Sequence, residues 1–207
     1  GTLILLKQFA PKSILQSIKE YKATILPLVP TIYSFLADLC TRSNYDVSSL
    51  KYCISGGAAL PRSLLKKVEA TLGVSVIEGY GLTETSPVIA VNTFKGGGFP
   101  GSVGPIVPNV ELKIVDESGK KKPTGEVGEI LVRGETVMQG YWNRPNETAE
   151  TITSDGWLKT GDLGHLDTES RLFISAGRKK DLIIRAGENI SPLAIENVLM
   201  NHPAILE

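Results

Sequence analysis

Val74-Ser75-Val76-Ile77-Glu78-Gly79-Tyr80-Gly81-Leu82-Thr83-Glu84-Thr85 is the stretch on which the fold turns. Residues 74–77 form a short, mostly apolar run of strand length and read as a buried strand. Gly79 and Gly81 let the backbone turn tightly out of that strand and let a ligand approach without side chains in the way. Tyr80 supplies a flat face for a ring to stack on. Thr83 and Glu84 offer oxygens of the kind Mg²⁺ takes when it also holds substrate phosphates. The same residues read equally as a strand-to-loop corner with a packed tyrosine. They do not fit the dinucleotide fingerprint, because Glu84 stands where its third glycine belongs. Pro87 and the β-prone residues 88–91 also replace the helix that fingerprint requires.

Upstream, strands and helices alternate. Residues 2–6 are apolar and strand-like, and Pro11 opens a helix carrying Ile14, Leu15 and Ile18 at helical spacing. Residues 24–29 read as a strand interrupted by Pro27 and ended by Pro30. Ile32, Phe35, Leu36 and Leu39 mark one face of a second helix, and the polar residues 41–49 connect it to a strand over residues 52–54. Gly56-Gly57-Ala58-Ala59 turns out of that strand. Pro61 then opens a third helix with Leu64, Leu65, Val68 and Leu72 toward the core. Strand, helix, strand, helix, strand predicts a parallel sheet wrapped by helices.

Downstream of Pro87 the texture changes. Gly96-Gly97-Gly98 and Pro100-Gly101 read as a connecting loop. Residues 110–115, 129–132 and 172–175 read as short strands, with turn chemistry such as Glu117-Ser118-Gly119 between them and a helical interlude over residues 145–152. This half predicts an antiparallel β subdomain, a distorted barrel. Gly177-Arg178-Lys179-Lys180-Asp181 is a charged break before a strand over residues 182–184. Ser191 and Pro192 then read as N-cap and first residue of a helix.

Composition narrows the class. Of the 207 residues 42% are hydrophobic, which suits a globular protein and excludes disorder. Acidic and basic residues balance at 22 each, so no overall charge recruits nucleic acid or an anionic membrane. Cys40 and Cys53 stand alone without metal-ligand spacing, which predicts buried, inert thiols in a reducing compartment. No apolar run reaches membrane-spanning length. The prediction is a cytoplasmic α/β protein with no transmembrane segment, with peripheral membrane contact and oligomeric state left open. Gly1 leads into an apolar run without an initiator methionine, and Glu207 follows another, so the chain reads as an internal piece of a longer one.

Four motifs then stand in a telling order: Ser55-Gly56-Gly57-Ala58-Ala59-Leu60, Gly79-Tyr80-Gly81-Leu82-Thr83-Glu84, Gly156-Trp157-Leu158-Lys159-Thr160-Gly161-Asp162 and Gly177-Arg178-Lys179-Lys180-Asp181. In order and spacing, over nearly the whole chain, the sequence resembles the acyl-adenylate-forming (AMP-binding) superfamily. That superfamily includes acyl-CoA synthetases, peptide-synthetase adenylation domains and beetle luciferases, and the chain looks most like its fatty acyl-CoA ligases. Gly101-Ser102-Val103-Gly104-Pro105 and Gly140-Tyr141 fit the superfamily's connecting regions.

The resemblance implies an ATP-dependent acyl-CoA synthetase using a small-molecule carboxylic acid, ATP, Mg²⁺ and coenzyme A. It implies acyl-AMP formation followed by transfer to the thiol. The alternatives are a ligase that loads a carrier protein and a non-catalytic nucleotide-binding or structural module. By resemblance, Thr83 contacts the α-phosphate and Glu84 holds the metal, so these two are the catalytic pair. Tyr80 stacks on adenine with Gly79, Gly81 and Glu78 beside it, and Gly56, Gly57 and Ala58 form the opposite wall. Asp162 accepts the ribose hydroxyls and Arg178 donates to the ribose. On their own, Asp162 reads as a turn aspartate and Arg178 as a solvated charge.

Lys180 matches the superfamily's hinge, Gly187 its coenzyme A tunnel loop and Tyr33 an acyl-pocket position. Lys180 also reads as an exposed lysine, Gly187 as a hairpin glycine and Tyr33 as core packing. The implied organisation is an α/β subdomain over residues 1–98, a β-rich subdomain over 99–176, a hinge over 177–181 and the start of a small C-terminal α+β domain over 182–207. The superfamily's phosphate loop and adenylation lysine find no match in the sequence, which implies that residues 1–207 alone are inactive.

Overall fold

Helix α1 (Pro11–Tyr21) begins on a proline whose missing N–H costs nothing in a first turn, and it ends where Lys22 takes a left-handed conformation. The structure is a computed structural model and describes residues 1–94, 98–99, 101–185, 188–199, 202 and 204–205. The chain divides into two compact units, residues 1–78 with 93–100, and residues 79–92 with 101–207.

In the first unit, β1 (Ile25–Leu28), β2 (Tyr52–Ser55) and the start of β3 (Val76–Gly81) are joined by α2 (Pro30–Arg42) and α3 (Arg62–Leu72). Both pairings are parallel, with Leu26 opposite Cys53 and Cys53 opposite Val76, as helical crossovers between strands require. Pro27 is tolerated because β1 is an edge strand. Ile14, Leu15, Ile18, Leu36, Leu65, Val68 and Leu72 fill the core at their helical spacing. Two expectations fail here. Residues 2–6 form no strand, and Leu3 and Leu5 are exposed, because no neighbouring strand pairs with their backbone. Phe35 also points to solvent, while Tyr33 and Ala37 complete the buried face of α2.

Cys53 is buried and Cys40 half-buried, both as free thiols, and burial pushes the Cys53 thiol up to about 11.

The second unit begins inside β3, whose Gly79-Tyr80-Gly81 end pairs antiparallel with β4 (Val88–Val91). The rest is an antiparallel half-barrel in the order β5 (Gly104–Pro105), β9 (Arg171–Arg178), β8 (Leu158–Leu166), β7 (Gly128–Gly134) and β6 (Val110–Val115). Helix α4 (Pro145–Thr151) lies in the β7–β8 connection. The β4 strand joins this layer through a bridge from Ala90 to Ile106. Ile89, Ala90, Ile114, Ile130, Val132 and Leu172 form its core, and Tyr80 and Leu82 pack against them.

On another part of this unit Trp157 is buried against Val115 and Leu131. The Lys113 Nζ lies 4.1 Å and the Arg133 Cζ 4.7 Å from the centre of its ring, a cation–π pair. Trp142, by contrast, is 89% exposed.

Beyond Arg178 a 3₁₀ turn (Lys179–Asp181) leads to an antiparallel pair, β10 (Ile183–Arg185) and β11 (Glu188–Ile190), and then α5 (Pro192–Leu199). The Ser191 Oγ accepts the Ala194 N–H at 3.3 Å, the expected cap. No helix among the described residues is long and apolar enough to cross a membrane.

Candidate active site

Gly79-Tyr80-Gly81 is strand rather than corner, and neither glycine has a positive φ. Gly81 is needed for close approach, since a Cβ there would stand 1.6 Å from the Pro87 carbonyl oxygen. The turn comes later, in a 3₁₀ segment (Thr83–Thr85) closed by Ser86 at φ 55°. Thr85, which the sequence reading passed over, builds it. Its buried hydroxyl accepts the Leu82 N–H at 3.1 Å and lies 3.0 Å from both the Leu82 and Pro87 carbonyls. Thr83 and Glu84 are thereby presented on a fixed turn, Thr83 exposed and Glu84 half-buried.

Strand β8 lies in the middle of the half-barrel, where pattern reading placed no strand, and it carries Asp162. Gly161 takes φ 74° and the β8–β9 register shifts near Leu163, yet burial alternates from Leu158 through Gly164, so Asp162 is an inward strand residue rather than a turn residue. Thr160 fixes the local backbone, donating to the Ile130 carbonyl at 2.9 Å and accepting the Asp162 N–H at 3.1 Å. Arg178 stands opposite Asp162 in the β8–β9 register, with its Nε 3.3 Å from Asp162 Oδ1. The Tyr80 hydroxyl donates to Asp162 Oδ2 at 2.6 Å.

Three candidates separated by up to 98 positions therefore meet at one buried carboxylate. Burial pushes the Asp162 pKa up, and the Tyr80 hydroxyl and the Arg178 charge act against that. Burial first, then the Asp162 charge, drives the Tyr80 phenol well above its ordinary value, so it stays a donor. Two of the roughly four acceptor positions of the carboxylate are used by these partners, which leaves others for incoming hydroxyls.

Glu84 has its own partners. Its Oε1 accepts the Tyr141 hydroxyl at 2.9 Å, and its backbone carbonyl accepts the Met138 N–H at 2.8 Å. Burial, followed by Glu84, raises the Tyr141 pKa, while the Arg178 charge lowers it. The Arg178 charge is felt by Tyr80, Asp162 and Tyr141. No cluster of three or more His, Cys, Asp or Glu side chains among the described residues could hold a metal unaided. A single carboxylate whose Oε2 has no partner among the described residues fits a cation that draws its other ligands from phosphates and water.

Gly56, Gly57 and Ala58 follow β2 in the first unit, with Gly57 at φ 81° and largely exposed. Glu78, also in the first unit, stands beside Ser55 in the β2–β3 register. Burial raises its carboxyl to about 7, against a backbone hydrogen bond from Leu60 and the Arg62 charge. Tyr33 is fully buried, with its hydroxyl donating to the Leu26 carbonyl and lying 3.2 Å from that of Ile54. Its hydroxyl ties β1 to β2. Lys180 is exposed in the 3₁₀ turn after Arg178, and Gly187 lies outside the described residues.

The family model described as "AMP-binding enzyme" matches residues 1–142. The chain belongs to the AMP-binding enzyme family. Among its relatives is a long-chain-fatty-acid–CoA ligase of Bacillus subtilis, 45% identical over 99% of this chain and 36% of the relative. A 4-coumarate–CoA ligase of Vanilla planifolia is 39% identical over 98% of the chain and 38% of the relative. The ATP-bound crystal structure of MatB from Rhodopseudomonas palustris superposes with a TM-score of 0.89 at 36% identity, over 98% of this chain and 40% of that one. The chain therefore spans well under half the length of these members of the AMP-binding family.

Proposed function

We propose that this chain forms the nucleotide-binding centre of an ATP-dependent, AMP-forming acid–thiol ligase. In the proposed reaction a carboxylate oxygen attacks the α-phosphorus of ATP, the bond to pyrophosphate breaks, and acyl-AMP forms. The thiol of coenzyme A then attacks the acyl carbon and AMP leaves. The observation that carries this reading is the convergence of Tyr80 and Arg178 on Asp162.

Each side chain has a role in keeping with its surroundings. Asp162, buried and ionised beside Arg178, accepts the ribose hydroxyls through charge-assisted bonds. Tyr80, locked by its own hydroxyl, offers its ring to adenine, and Gly79 and Gly81 keep the backbone beside it clear. Thr83 donates to the α-phosphate from its exposed turn, and Glu84 holds Mg²⁺, which supplies neutralisation of phosphate charge. Gly56, Gly57 and Ala58 supply exposed backbone at a strand's C-terminal end, where open α/β sheets bind ligands, and Glu78 stands in β3 beside Ser55, the last residue of that strand. Lys180 is the hinge between the half-barrel and residues 182–207, and Gly187 belongs to the thiol-substrate path.

A fatty acid is the proposed acyl donor, supported by the long-chain-fatty-acid–CoA ligase of Bacillus subtilis and opposed by the 4-coumarate–CoA ligase of Vanilla planifolia. The enzyme is proposed to work in the cytoplasm, and residues 1–207 alone to carry out little adenylation.

Calorimetry with AMP on the folded chain tests the reading. Binding that Asp162→Asn weakens supports it, and no binding overturns it in favour of a structural module. Robust carboxylate-dependent ATP–pyrophosphate exchange by these residues alone would overturn the proposed inactivity. A panel of carboxylates offered to the full-length enzyme, with coenzyme A or a carrier protein as acceptor, decides the acyl donor and the thiol.

A further inference from the structure

Glu84 sits at the end of a relay of hydrogen bonds that begins in α4. The Thr148 hydroxyl donates to the Arg144 carbonyl at 2.8 Å and accepts the Tyr141 N–H at 2.9 Å, fixing the Tyr141 main chain to the helix. Gly140 makes this approach possible. It stands at φ 151°, and a Cβ there would lie 2.7 Å from Thr148 Cγ2. The tyrosine's main chain is therefore held by α4 while its hydroxyl donates to Glu84 Oε1 at 2.9 Å. The Met138 N–H, from the same β7–α4 connection, holds the Glu84 carbonyl at 2.8 Å.

A glutamate on a turn is ordinarily free to sample several rotamers, and each costs entropy to freeze when a cation binds. Here the rotamer is selected beforehand. One carboxylate oxygen is taken by a neutral donor that cannot repel a cation, and the other has no hydrogen-bond partner among the described residues.

We propose that Tyr141 is a positioning residue that presents Glu84 Oε2 to the divalent cation of the bound nucleotide, with Thr148 as its anchor. The proposal rests on Glu84 as metal ligand, the reading given above. It assigns a task to the β7–α4 connection, which sequence motifs mark only as a spacer between the Gly79–Glu84 and Gly156–Asp162 segments. The donor set fits the cation, since a hard carboxylate oxygen is what Mg²⁺ and Mn²⁺ select.

The test uses the full-length ligase that we propose carries this chain, with Mn²⁺ as the probe. Electron paramagnetic resonance measures Mn²⁺ affinity in the presence of ATP for the wild type, Glu84→Gln, Tyr141→Phe and Thr148→Val. Tyr141→Phe is expected to weaken Mn²⁺ binding about five-fold, the scale of one lost hydrogen bond to a charged group that is partly exposed. Thr148→Val is expected to do so by a smaller factor and Glu84→Gln by a larger one. Adenylation by Tyr141→Phe should recover at saturating Mg²⁺ with the acid's KM unchanged, which a merely structural defect would not do. If Glu84→Gln weakens the cation and Tyr141→Phe leaves it within two-fold, the positioning role is wrong and the metal reading stands. If neither substitution changes the cation's affinity, both fall.

Discussion

Replacing Glu78 by glutamine should change the pH dependence of stability in a way that can be calculated. The carboxyl is raised from 4.5 to about 7, chiefly because burial penalises its charged form. The unfolded chain releases this proton near 4.5 and the folded chain near 7, so between those values only the folded state holds it. Folded-state binding of one extra proton means stability falls as pH rises through that window, by about 1.4 kcal/mol per unit. The contribution is fully present below pH 4.5 and lost above 7, a difference on the order of 3 kcal/mol. Glutamine has nearly the same shape and no proton to exchange.

The assay is urea unfolding of the wild type and Glu78→Gln at intervals from pH 5 to 8, with the difference taken at each pH so that every other titration cancels. That difference should grow in favour of the variant as pH rises and level off above 7. Proton uptake on refolding at pH 6, greater in the wild type than in the variant by about one per molecule, is the companion measurement. A flat difference across the window would refute the reasoning. So would a variant that becomes less stable at high pH.

Gly81→Ala should cost about 3 kcal/mol or abolish folding of the second unit, because its methyl meets a backbone carbonyl that has no rotamer to escape through. A thermal melt within a few degrees of the wild type would contradict this. Asp162→Asn keeps an acceptor for Tyr80 and removes the charge, so AMP affinity by calorimetry should fall ten- to a hundred-fold, at about 1.5–3 kcal/mol per charged hydrogen bond. Its unfolding free energy should move by less than about 1 kcal/mol. Tyr33→Phe should lower stability by about 1–2 kcal/mol through the carbonyls it strands. The same variant should leave the carboxylate preference of the full-length enzyme unchanged, and an altered chain-length profile would return Tyr33 to the acyl pocket.

Most of the first unit was legible because its helices carry long, regular periodicity. Ile14, Leu15 and Ile18 in α1 and Leu65, Val68 and Leu72 in α3 are core residues as spaced. The same rule failed where an apolar run lacked a partner, as at Leu3 and Leu5, since a strand needs a neighbour and no sequence pattern supplies one. Strand β8 was illegible for the opposite reason. Gly161, Asp162, Gly164 and His165 look like loop chemistry, yet tertiary pairing with β7 and β9 overrides local preference.

At the site, the motif residues were visible as a set, but their mutual geometry was not. Nothing in the spacing says that Tyr80 spends its hydroxyl on Asp162, or that Gly79 and Gly81 lie in a strand. Tyr141 stands 57 positions from Glu84, and only the folded β7–α4 connection brings the two into contact.

The two tryptophans make the protein its own optical gauge. Trp157, shielded between Lys113 and Arg133, is placed to emit at short wavelength with quenching by the flanking cations, while Trp142 emits from water. With Trp142 replaced by phenylalanine, a red shift on denaturation would track the half-barrel alone. The cooperativity of that unit could then be followed without an extrinsic dye.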